Sequence, residues 1–117
     1  MALAAGYNGS VNFKAGYAVY LDEIHIHFAL GCKNWVQVTI YKGPDGDVYD
    51  ENLFSSSISL GATYLTGEDE DINLEDLKIW VDENEYITVG VNNTDVNAGH
   101  TITSTLVLKR IVNEVTG

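Results

Sequence analysis

The chain predicts an all-β fold: a single antiparallel β-sandwich of seven to eight strands, in a jelly-roll or Greek-key arrangement. Three observations carry this. From Glu23 to Phe28 polar and apolar residues alternate strictly, with Ile24, Ile26 and Phe28 on one side and Glu23, His25 and His27 on the other. Strand side chains point to opposite faces with period two, so this segment is a half-buried strand and not a helix. The same period returns in Trp35–Tyr41, Tyr86–Val91 and Thr101–Val112, and almost nothing in the chain competes as a helix.

At 117 residues and 45% hydrophobic composition, one domain with one core is expected and a disordered chain is excluded. No run approaches the roughly 20 apolar residues that cross a bilayer. The first residues, MALAAGYNGS, lack a basic residue and do not read as a secretory signal peptide. Residues 1–9 are expected to form a flexible arm, and residues 10–117 the sandwich.

Ser10–Phe13 is a short candidate strand, and Ala15-Gly16 breaks it. Ala18–Leu30 is the longest early strand. Gly31–Asn34 turns the chain into Trp35–Lys42, whose Val36, Val38 and Ile40 face inward, and the two strands read as an antiparallel hairpin. Gly43-Pro44-Asp45-Gly46-Asp47 is the strongest turn signal, because Pro presets φ and Asp-Gly supplies a positive one. Val48–Leu53 and Ile58–Leu60 are weaker strand candidates, the second running on toward Tyr64. Gly67–Asp71 reads as a solvated loop, since its adjacent carboxylates repel. After a turn at Leu74–Asp76, the spacing of Leu77, Ile79 and Val81 favours a strand. Asp82–Glu85 then forms a hairpin loop into Tyr86–Asn92. The polar loop Asn92–His100 precedes the last strand.

Six Lys/Arg against seventeen Asp/Glu give a net charge of −11. Such a surface repels nucleic acid and anionic membranes, so neither is an expected partner. Cys32 is the sole cysteine, which excludes an intrachain disulfide. It sits in a turn-like run where neighbouring Lys33 could favour the thiolate, but a nucleophile also needs an ordered base, and Cys32 reads as a bystander. The sequons Asn8-Gly9-Ser10 and Asn92-Asn93-Thr94 read as chance matches in loops.

Two clusters invite a metal reading. Asp45, Asp47 and Asp50, with Glu51, offer oxygen ligands of the kind calcium takes, although the EF-hand spacing is absent. His25 and His27 project from one strand face beside Glu23. This His-x-His pair resembles that of the cupins, but Ala29–Lys33 stands where that family places its glutamate. His100, expected in a loop, lacks the family's Gly and Pro context. No motif for a nucleophile, phosphate loop or dinucleotide site is present, so no catalytic residue is assigned. Seven Tyr and two Trp are abundant for so small a sandwich. Tyr17, Tyr20, His25, His27 and Trp35 are the expected partner-binding residues, since aromatics are enriched at contacts.

The order of segments resembles that of small β-sandwich virion proteins of tailed phages and prophages. The carrying motifs are Leu21-Asp22-Glu23-Ile24-His25-Ile26-His27-Phe28, Val38-Thr39-Ile40, Gly46-Asp47-Val48-Tyr49-Asp50, Asp82–Glu85, Val89–Asn93 and Leu106-Val107-Leu108-Lys109-Arg110. The resemblance spans most of the chain. It implies a non-enzymatic structural protein in the virion, such as a capsid decoration, vertex or tail component, contacting copies of itself and other capsid proteins. The alternative expectation is a carbohydrate-binding or adhesin module that contacts glycans, assisted by calcium at Asp45, Asp47 and Asp50.

Overall fold

The structure is a computed structural model that describes residues 1–110. Ile111 and Val112 of the expected last strand lie outside the described residues. Nine strands appear among the described residues: β1 (Ala2–Leu3), β2 (Asn8–Phe13), β3 (Val19–Phe28), β4 (Val36–Gly43), β5 (Glu51–Asn52), β6 (Glu70–Leu74), β7 (Ile79–Val81), β8 (Tyr86–Asn93) and β9 (His100–Arg110). One sheet runs β1-β9-β3-β6, with β7 beside β6 on the same edge of β3; the other runs β2-β8-β4-β5.

Every pairing is antiparallel, and the pairs nest: β1 with β9, β2 with β8, β3 with β6 and β7, and β4 with β5. This is one long hairpin, with its tip at β4–β5, rolled until β9 lies beside β3 and β8 beside β4. That wrapping is the jelly roll. It closes because the long strands each have one apolar side. Ile24, Ile26 and Phe28 meet Val36, Val38 and Ile40 across the interior, all at 0–1% exposure. Leu53, Phe54, Ile87 and Ile102 complete the core.

A bulge explains a parity change in β3. Val19 and Leu21 point inward, yet so do Ile24, Ile26 and Phe28. The β9 register passes from Leu21↔Leu108 to Glu23↔Val107, so Asp22 is the extra residue. Its carboxylate, almost fully buried, pairs with Lys109 Nζ at 2.8 Å. On the other edge of β3, the Leu77 amide donates to the Asp22 carbonyl between β6 and β7. Asp76 and Lys78 bracket this break with positive φ.

Several expectations change. Residues 1–9 are not an arm: Ala2 pairs with Thr101, Leu3 with His100, and Leu3 is buried. The Met1 amine donates to the Ile102 carbonyl at 2.7 Å, and β2 already begins at Asn8. The β3–β4 hairpin does not form, because the two strands belong to opposite sheets. Alternation states which side of a strand is apolar, not which strand lies next to it. Gly31, Lys33 and Asn34, all at positive φ, carry the chain across the sandwich. Asp82–Glu85 likewise links β7 to β8 across the layers. Only Glu51–Asn52 of the Val48–Leu53 candidate is strand. Ile58–Leu60 is not strand, and in the run toward Tyr64 the nearest pairing is the single bridge of Leu65 to Val38. Glu70 and Asp71 belong to β6: Asp71 shares the outward side of His27, while Glu70, opposite Phe28 at the start of the strand, stays exposed and accepts from the Glu68 amide.

Candidate functional site

The outer face of the β1-β9-β3-β6 sheet carries His25 and His27. Register places Asn73 and Thr105 on either side of His25, and Asp71 and Thr103 on either side of His27. His25 Nδ1 donates to Asn73 Oδ1 at 2.6 Å, which leaves Nε2 facing Glu23 Oε1 at 3.2 Å. The Asn73 contact raises the His25 pKa, desolvation opposes it, and Glu23 and Glu75 add to the rise. His27 Nδ1 lies 2.7 Å from Asp71 Oδ1. The two histidines therefore take separate partners. Glu75, not His27, joins Glu23 and His25 in a group whose ligand atoms all lie within 4.8 Å of one another. One imidazole and two carboxylates suit a zinc-type ion better than calcium.

This arrangement also removes the cupin geometry. The inward side of β3 is Ile24, Ile26 and Phe28, so no imidazole of the pair enters the sandwich. His100, expected in a loop, opens β9 and pairs with Asp95 at 2.8 Å. The Asn97 amide, then His100, hold the Asp95 carboxyl below its ordinary value.

Asp45, Asp47 and Asp50 do converge, within 4.8 Å of one another. Their oxygens already serve the turn: Asp50 accepts from the Gly46 amide at 2.8 Å, and Asp47 from the Tyr49 amide at 2.9 Å. Gly43 allows this, since a Cβ there would lie 2.5 Å from the Asp50 carboxyl. Cys32 is fully buried, its Sγ 3.5 Å from the Thr101 carbonyl, and burial pushes the thiol pKa up. Both deny it the character of a nucleophile.

The five residues expected to bind a partner do not share one surface. Tyr20, His25 and His27 lie on the outer face of β3. There Tyr20 meets Trp80 edge to face at 5.7 Å. Tyr17 precedes that strand, with the Arg110 guanidinium 5.1 Å from its ring centre. Trp35 precedes β4 in the opposite sheet, where its carbonyl accepts from Thr94 Oγ1 at 2.6 Å.

A feature that periodicity did not single out lies on the outer face of the β2-β8-β4-β5 sheet. Three rows cross three strands there: Asn8–Asn92–Gln37, Ser10–Gly90–Thr39 and Asn12–Thr88–Tyr41. Gly90 occupies the centre of this grid and has no side chain, so the face is hollow. A Cβ there would lie 2.9 Å from the Tyr41 ring, which leans over it. Val48, Asn52, Thr63 and Tyr64 wall the far side of a trough of about 300 Å³. Thr39 Oγ1 and Asn52 Nδ2 both donate to the Thr63 carbonyl and hold that wall in place. The sequons fall on this grid: Asn8 and Asn92 stand in strands, not loops. The signal was half visible as the polar side of Gln37, Thr39 and Tyr41; pairing with β8 supplied the rest.

Among the described residues, the sandwich is also open along one side. β9 runs for 11 residues, yet β1 pairs with it only at His100 and Thr101. β2 is the edge of its own sheet. Val11 and Phe13 share the inward side of β2 but remain 54% and 49% exposed, because no strand among the described residues of the other sheet covers them. No family model, no curated protein and no solved structure matches the chain, so its functional reading rests on this geometry.

Proposed function

We propose that the chain is a non-enzymatic structural protein of a virus particle, working as a homo-oligomer through side-by-side contact of its sandwiches. The observation that supports the association is the open side, and the virion location rests on the resemblance in segment order. Among the described residues, most of β9 and the whole outer edge of β2 present unpaired backbone groups beside exposed apolar side chains. Solitary sandwiches blunt such edges, because an uncovered one recruits another chain. A second copy is the occupant that fits. Lys14, just after β2, and Arg110, at the end of β9, are two of the six Lys/Arg and temper the charge that holds acidic copies apart. Half-buried Val89, Leu106 and Leu108 extend the apolar strip.

The role needs no chemistry beyond contact. A rigid jelly roll presents the strip, and repetition of a modest interface over many copies stabilises the assembly. Sedimentation equilibrium of the purified chain tests the association. The native protein should oligomerise with rising concentration, whereas Phe13→Glu should stay monomeric with an unchanged melting temperature. A native chain that remains monomeric at millimolar concentration overturns the reading. Mass spectrometry of density-purified particles tests the location, and absence of the chain from them overturns that part.

A further inference from the structure

We propose that the trough over Gly90 is a binding site for a neutral saccharide. It lies on the outer face of the β2-β8-β4-β5 sheet, where Asn8 and Gly9 of the edge strand β2 form one rim, and it uses none of the apolar side chains of the open side, Val11, Phe13, Val89, Leu106 and Leu108.

The lining chemistry selects the ligand class. The chain carries a net charge of −11, yet no lining residue of the trough is charged. An ionic ligand would lose its hydration there with nothing to offset the loss. An apolar ligand would strand the side-chain amides of Asn8, Gln37 and Asn92. A sugar hydroxyl both donates and accepts, and so does each of these amides. Asn92 Nδ2 reaches Gln37 Oε1 at 3.4 Å, a long contact that leaves the Gln37 amine and the Asn92 carbonyl open to a ligand. Tyr41 and Tyr64 add rings with an apolar body and a polar tip, which suit the mixed faces of a pyranose.

Shape supports the same class. A volume of about 300 Å³ lies at the small end of ligand pockets, room for a mono- or disaccharide unit. Extended peptides bind by adding to sheet edges, where backbone groups are available. On the floor of the trough the backbone of β8 is paired on both sides, with β2 and β4, and there side chains read a ligand. Gly90 makes the depth: any side chain there would displace Tyr41 and level the floor.

A printed glycan array carrying neutral hexose and N-acetylhexosamine chains alongside sialylated and sulfated ones tests the proposal, with saturation-transfer NMR to measure weak hits. Neutral glycans should bind, and Gln37→Ala/Asn92→Ala should weaken binding at least tenfold with the melting temperature retained. Thr103→Ala, on the outer face of the opposite sheet, should bind like the native chain. No neutral glycan bound at millimolar concentration, binding confined to acidic glycans, or a double variant with native affinity would each overturn it.

Discussion

Gly67→Ala separates a tertiary contact from a backbone effect by the sign of its result. Gly67 has φ outside the left-handed region, so alanine fits its backbone. At such positions the substitution ordinarily stabilises by about 0.4–1 kcal/mol, through the unfolded chain. Here a Cβ would lie 2.5 Å from Phe28 Cδ2 and 2.8 Å from Glu70 Oε1. The glutamate can swing away, but Phe28 is fully buried and its ring has nowhere to go. Overpacking of this kind costs about 1–3 kcal/mol, which outweighs the backbone gain. The net expectation is a loss of about 1 kcal/mol. For 117 residues the unfolding entropy is about 0.25 kcal/mol/K, so the melting temperature should fall by about 4 °C. Thermal and urea unfolding followed by far-ultraviolet circular dichroism would measure it. In a Phe28→Leu background the same substitution should become neutral or stabilising, a coupling of about 1–2 kcal/mol. If Gly67→Ala raises the melting temperature of the native chain, the Phe28 ring does not lie against this backbone, and the packing of that end of the core is wrong.

Two further outcomes follow from the buried and paired groups. Asp95 is depressed by the Asn97 amide and by His100, so it binds its proton less readily folded than unfolded. Its stabilisation is complete above the unfolded carboxyl pKa of about 3.9 and is lost as pH falls through the lower folded value. Urea midpoints between neutral pH and strong acid should therefore fall less steeply for Asp95→Asn than for the native chain; identical slopes would remove the linkage. Cys32 should resist iodoacetamide in the native protein at neutral pH and react fully in denaturant, as mass spectrometry would show. Rapid native labelling would place the thiol at the surface.

Much of the core is legible in the sequence. Ile24, Ile26 and Phe28, and Val36, Val38 and Ile40, were assigned inward on alternation alone and are all buried. That works because period two is a local property of an extended chain. Pairing is not local. The Gly31–Asn34 turn reads like a hairpin loop but crosses between sheets, and the acidic run at Gly67–Asp71 conceals the start of β6. Sequence spacing also grouped His25 with His27, where the neighbouring strand gives each its own partner: Asn73 to one, Asp71 to the other.

The amino-acid order alone determined a β-sandwich, its apolar faces, its acidity and its lack of a recognisable catalytic motif, since each of these is a sum or a period along the chain. Only the tertiary structure decided the rolled strand order, the ligand group of Glu23, His25 and Glu75, the neutral trough and the open side. The trough needs Gly90 to stand between Thr39 of one strand and Ser10 of another, 51 and 80 positions away in sequence. No local pattern encodes such a meeting; it exists once burial of the apolar faces has rolled the hairpin and set the three strands side by side.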